Sequence, residues 1–209
     1  MRGSQTIRLQ VPAMLTQLTT TRFWRILAWG GSAVILLLPA VAMQFTTDVQ
    51  WTAADFLVAG GMLLAVCLAL EGLLRVSQDP WYRLAAALSV LTALLLTWAN
   101  AAVGIIGAET NPQNRVFVLV VLLAMLGSLI TGFRPKGMAQ TMLLTGVLQA
   151  LIALVAYVSA WGNIIAISAP FVLLWWSAAL LFRLSVPTAT PAAENAAHIA
   201  TADDSTHGR

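Results

Sequence analysis

Charge is what this chain has least of: Asp, Glu, Lys and Arg together make up 9% of its 209 residues, where a soluble domain carries about 25%. Such a deficit argues against a soluble fold. Histidine is scarcer still, and both copies, His198 and His207, fall in the C-terminal tail. No pair is therefore left within the apolar region to ligate a b-type haem, no His-based zinc site exists there, and the histidine that an intramembrane protease uses is missing. The single cysteine, Cys67, sits in an apolar run and rules out an intramolecular disulfide or a cysteine-clustered metal site. Neither a GxxxxGK[ST] loop nor a GxGxxG turn occurs, so any nucleotide-driven step needs a partner. No residue is assigned as catalytic, cofactor-binding or metal-ligating, and no cofactor is expected.

What is present is hydrophobic sequence, 59% of the chain, in runs long enough to cross a bilayer. The pattern predicts an all-α polytopic transmembrane bundle of six spans, at about 26–43, 53–74, 84–106, 116–131, 138–160 and 164–182. Residues 1–22, polar and basic with Arg2, Arg8, Arg22 and Pro12, read as a loose cytoplasmic lead-in to a 23–183 transmembrane domain. Residues 184–209, small and polar without apolar period, read as a disordered cytoplasmic tail. Of 11 Lys and Arg residues, only Arg115 falls on the proposed outer side, a bias that places both termini in the cytoplasm. The net charge of +3 is thus a topology signal, and nucleic acid is not an expected partner. Ala40-Val41-Ala42 resembles a signal-peptidase site, but the apolar run before it is longer than the 7–15 residues of a signal peptide. A retained anchor is expected, and Pro39 should bend it or end it early.

Two polar stretches break the apolar pattern, Gln44–Asp55 (QFTTDVQWTAAD) and Thr97–Arg115 (TWANAAVGIIGAETNPQNR), and the six-span topology puts them on one side. Continued as helix, the second places Thr97, Asn100, Gly104 and Gly107 at i, i+3, i+7 and i+10, a small and polar packing stripe, while Ile105 and Ile106 face elsewhere. Gln149 lies about 16 Å into the fifth span at 1.5 Å per residue, close to the bilayer centre. The pieces AMQFTTDVQWTAADF and WANAAVGIIGAETNPQN resemble the recurring signature of a family of small bacterial inner-membrane proteins without an assigned activity. The likeness covers about residues 25–180. It implies a bacterial inner-membrane location and a joint role for the outer polar motifs, and it supplies no catalytic residue, substrate or cofactor.

Each polar residue has a structural and a functional reading. Asp55 complements the N-terminal dipole of the second span or relays a cation or proton. Glu71 reads as an i,i+4 pair with Arg75. Asn100 and Gln149 should hydrogen-bond a neighbouring helix, Gln149 with Asn100 or Thr97 as its partner. Gly104 and Gly107 permit close helix approach or a wider turn. Asp48, Asp55 and Glu109 with Asn111, Gln113 and Asn114 offer oxygens of the type hard cations prefer, yet Asn-Pro is also an ordinary turn with Asn111 capping it. Arg115 is expected to pair with Glu109 or Asp48. Trp175 and Trp176 read as core or lipid-facing aromatics.

Three functions fit these residues. The first is a non-catalytic accessory, assembly or interaction subunit, which meets a membrane or periplasmic protein through its polar stripes and outer loops as well as contacting the lipid bilayer. The second is a small transporter or channel with a polar path through Asp55, Asn100 and Gln149. The third is a membrane-embedded lipid-modifying enzyme with Asp48, Asp55 or Glu109 as acid or base, a reading weakened by the lack of a nucleophile constellation.

Overall fold

A computed structural model describes residues 5–186, with side chains at 22 and from 24 onward. All regular structure among the described residues is helical: α1 (Gln5–Ala42), α2 (Ala53–Val76), α3 (Pro80–Ala102), α4 (Val116–Ile130), α5 (Pro135–Val158) and α6 (Ile165–Leu184). A 3-10 turn, Pro112–Arg115, leads into α4. Six helical segments are long and apolar enough to cross a membrane, and the chain is a multi-pass membrane protein. Alone, α4 rises about 22 Å, short of the roughly 30 Å hydrocarbon core; the 3-10 turn supplies about 8 Å more.

Helix boundaries follow local chemistry. The third span begins at Pro80 rather than 84, because Pro80 stands at N1 and the Asp79 side chain accepts from the Tyr82 N–H at 2.9 Å. It ends at Ala102 rather than 106. The fifth likewise starts early, at Pro135. At the first span the lead-in expected as loose is already helix from Gln5. Pro39 does not end α1, which runs three residues further to Ala42. The tail expected to be disordered lies, from residue 187, outside the described residues.

Several contacts gather the cationic residues at one end. The Glu71 carboxylate bridges Arg25 of α1, at 3.3 Å, and Arg75, its own i+4 neighbour. The Tyr82 hydroxyl donates to the Phe133 carbonyl at 2.8 Å, and its ring meets Phe182 edge-on at 5.2 Å. These bonds bring the start of α3, the α4–α5 turn and the end of α6 together. Arg83 seals the α2–α3 corner by donating to the Ser77 carbonyl and the Gln78 side chain. At the opposite end Trp51 and Trp98 lie 5.9 Å apart. The two polar stretches therefore share one side, as their spacing predicts.

Within the bundle α6 lies between α5 and α3, with α4 against α5. Tyr82, Leu96, Phe117, Trp175 and Phe182 fill the core and are fully or almost fully buried. Close approach comes from small residues: a Cβ added at Gly146 of α5 would lie 2.5 Å from the Trp176 indole nitrogen of α6. Next to this four-helix core α2 packs on α3 and α1 rests on α2, with no side chain between Trp24 and Ala42 buried.

Candidate functional site

Asn114 organises the 103–115 loop. Its side chain is 4% exposed, and its Oδ1 accepts from two successive backbone N–H groups, Ile105 at 3.1 Å and Ile106 at 2.8 Å. Its Nδ2 donates to the Ala108 carbonyl at 2.8 Å. One amide thus satisfies two buried N–H groups that would otherwise have no partner and adds a second donor to the Ala108 carbonyl, which also accepts from the Asn111 N–H. Asn111 adds a second brace, donating from Nδ2 to the Ile106 carbonyl and accepting at Oδ1 from the Gln113 N–H. This last bond caps the 3-10 turn as the Asn-Pro pattern predicts. Ile105 and Ile106, buried to 4% and 0% exposure, anchor the loop to the core from below.

Here the helical stripe expected from Thr97 to Gly107 needs correction. Gly104 and Gly107 have φ of +77° and +69° and lie beyond the end of α3. Left-handed backbone there reverses the chain, so that Ile105 and Ile106 turn inward. Both glycines serve a turn and not a helix contact. Asn100, still in α3, reaches this loop instead of a neighbouring helix, donating from Nδ2 to the Asn114 carbonyl at 3.2 Å. Thr97 donates to the carbonyl of Ala93 in its own helix.

Other candidates scatter. Asp55 closes a capping box with Thr52: its carboxylate accepts from the Thr52 N–H at 2.7 Å and hydroxyl at 2.8 Å, and its own N–H donates back to that hydroxyl. The signal, Thr-x-x-Asp before an apolar run, was present in the sequence. Asp48, Glu109 and Arg115 are exposed, and among the described residues Arg115 makes no ion pair with Glu109 or Asp48. The acidic side chains do not converge: no three His, Cys, Asp or Glu side chains of the described residues form a group able to hold a metal ion.

Gln149 is fully buried, but its partner is neither Asn100 nor Thr97. Its Oε1 accepts from the Trp175 indole N–H at 2.9 Å, a pairing across α5 and α6 that sequence periodicity has no means of registering. The Gln149 Nε2, Asn100 Oδ1 and Ser168 Oγ atoms are buried without a hydrogen-bond partner. Because the Gln149–Trp175 bond joins two buried groups, removing the second partner should cost less than removing the first. We expect Trp175→Phe and Gln149→Leu each to destabilise, by about 1–3 kcal/mol, and the double variant to fall short of their sum by about 1 kcal/mol. Unfolding in mixed micelles measures this, and strict additivity would mean that the bond contributes nothing.

Clefts indent the bundle between its helices. One, of about 360 Å³, lies between α2 and α4; another, of about 340 Å³, runs along α5 and α6 beside Ser168. Neither is lined by Asp55, Asn100 or Gln149. Comparison of the chain with protein-family models, curated proteins and solved structures gave no match.

Proposed function

We propose that this chain is a non-catalytic accessory or assembly subunit of a bacterial inner membrane, with both termini cytoplasmic, and that its outer loops bind a membrane or periplasmic protein. The observation that carries this reading is the braced 103–115 loop. Its internal polar groups are consumed in holding its shape, while Glu109, Thr110 and Arg115 point outward, with Glu109 and Arg115 outside any ion pair among the described residues. A loop fixed before binding loses little conformational freedom on association, and loops on rigid scaffolds commonly carry recognition. Exposed apolar side chains lie at the same end of the bundle: Val103 is 69% exposed and Phe45, in the loop tied down by Trp51, is 85% exposed. A transport path has less support, because Asp55, Asn100 and Gln149 each bond a different group of the protein and line neither of the two clefts described above.

Tagged protein at native level, extracted in mild detergent, tests the proposal by mass spectrometry of what accompanies it. Wild type should bring down a stoichiometric protein that a Glu109→Ala, Arg115→Ala variant loses by about tenfold or more, the 1.4 kcal/mol equivalent of a tenfold change. Both side chains are exposed, so the variant should stay folded. A wild-type protein that emerges alone would sink the reading and make solute flux in liposomes the next question.

A further inference from the structure

The cleft between α2 and α4 has a character that the proposed partner surface at the other end does not share. Its floor is Ser89, Val90 and Ala93 of α3, and Trp175 stands behind it. Its few polar groups are already engaged: Ser89 donates to the Ala85 carbonyl, Ser128 to the Ala124 carbonyl, and the Trp175 N–H to Gln149. The wall is therefore apolar in effect and offers nothing to a polar solute. The mouth is lateral. Leu68 on one lip and Met125 and Leu129 on the other are each more than half exposed, and α2 packs on α1 and α3 with no comparable packing on α4. From Leu68 to the end of α2 at Val76 is about 12 Å at 1.5 Å per residue, close to half a hydrocarbon core of about 30 Å. The cleft thus lies within one leaflet, and it opens to hydrocarbon.

Its lower end is cationic. Phe133, which lines it, is followed directly by Arg134 and, two residues on, by Lys136; both are exposed and neither makes an ion pair among the described residues. On α2, Arg75 stands three residues beyond the lining Gly72, one turn further along the same face, with its side chain 75% exposed despite its bond to Glu71. An apolar slot within one leaflet, with exposed cations beyond its lower end, has the complement of an anionic lipid. We infer that this cleft holds an acyl chain of an anionic phospholipid, its phosphate resting against Arg134 and Lys136. Because a tail gains little by exchanging lipid for an apolar wall, the slot provides position and the cations provide selection. The volume, about 360 Å³, lies within the range of ligand pockets, about 300–1,000 Å³.

The test uses the full chain, purified in mild detergent and incubated with equimolar phosphatidylglycerol and phosphatidylcholine, with retained lipid counted by mass spectrometry after washing. Wild type should keep about one lipid per chain and favour phosphatidylglycerol about five- to thirtyfold, the range that one to two cations near an anionic headgroup supply. In the R134Q, K136Q variant lipid should remain but the preference should vanish. Gly72→Phe should abolish retention, since a Cβ at Gly72 enters open space and the ring then occupies the slot. Ala93→Leu, narrowing the cleft from its floor, carries the same expectation should Gly72→Phe fail to fold. Wild type without bound lipid, retention at the wild-type level in both plugged variants, or an unchanged preference in R134Q, K136Q would each overturn the inference. So would a plugged variant that keeps its lipid and loses a protein partner or a second copy, because the slot would then belong to a helix. None of these results bears on the Glu109 and Arg115 surface, so the two proposals fail separately.

Discussion

Asn114→Ala is expected to destabilise the purified protein by about 3 kcal/mol or more, the largest effect of any single side-chain truncation outside the apolar core. Two buried backbone groups, the Ile105 and Ile106 N–H, lose their partner together, and the Ala108 carbonyl loses one of its two donors. Each such orphan costs about 1–3 kcal/mol. Alanine leaves a void too buried for bulk water to repair freely, since Asn114 is 4% exposed. For a chain of this size the loss corresponds to a drop in Tm of about 6–12 °C, readable by tryptophan fluorescence in detergent. Asn114→Asp retains the double acceptor and loses only the bond to Ala108, and should fall between wild type and alanine. A protease clipping residues 103–111 in the alanine variant alone would place the damage in the loop. An unchanged Tm and cleavage pattern would mean that Asn114 does not hold it.

Substituting Gly104 should cost nearly as much, and for a different reason. At φ of +77° an L side chain is strained by about 1–2 kcal/mol, and the added Cβ would also lie 2.5 Å from the Ala108 carbonyl carbon and 2.6 Å from the Glu109 nitrogen. These obstacles are backbone, so no rotamer change relieves them. Gly104→Ala is accordingly expected to lose about 3 kcal/mol, strain plus overlap. Gly132 supplies the internal control. Its φ is +59°, yet nothing lies within 4 Å of a Cβ built there, so Gly132→Ala should lose only the strain, about 1–2 kcal/mol. Equal losses at the two positions would show that space around Gly104 is immaterial and that conformation alone decides.

These two residues also mark where sequence reading succeeds and where it stops. Apolar runs and arginine positions suffice for six spans, because crossing hydrocarbon demands length and the absence of charge whatever the neighbours are. Local chemistry was equally open to reading: the Glu71–Arg75 pair and the Asn111 cap rest on residues two to four apart. The end of α3 was not. Gly104 is compatible with a continuing helix, and what stops it is Asn114, ten residues on, whose amide holds Ile105 and Ile106 in a reversed chain. Gln149 shows the same limit across 26 residues, since its bond to Trp175 depends on which helices touch. Arg115, free of the ion pair that its charge suggested, shows that proximity in sequence does not close a bridge between exposed side chains, for which the net gain is small.

The position of α6 bears on how the molecule is made. Lying between α3 and α5, it leaves the ribosome after both of the segments that pack against it. In a nascent chain α1 and α2 already have each other, and α4 has α5, whereas α3 has only the flank of α2 and a slight contact with α4 until residues 165–184 arrive. Synthesis order and spatial order therefore run against each other here, and α3 and α5 are joined only once α6 is in place.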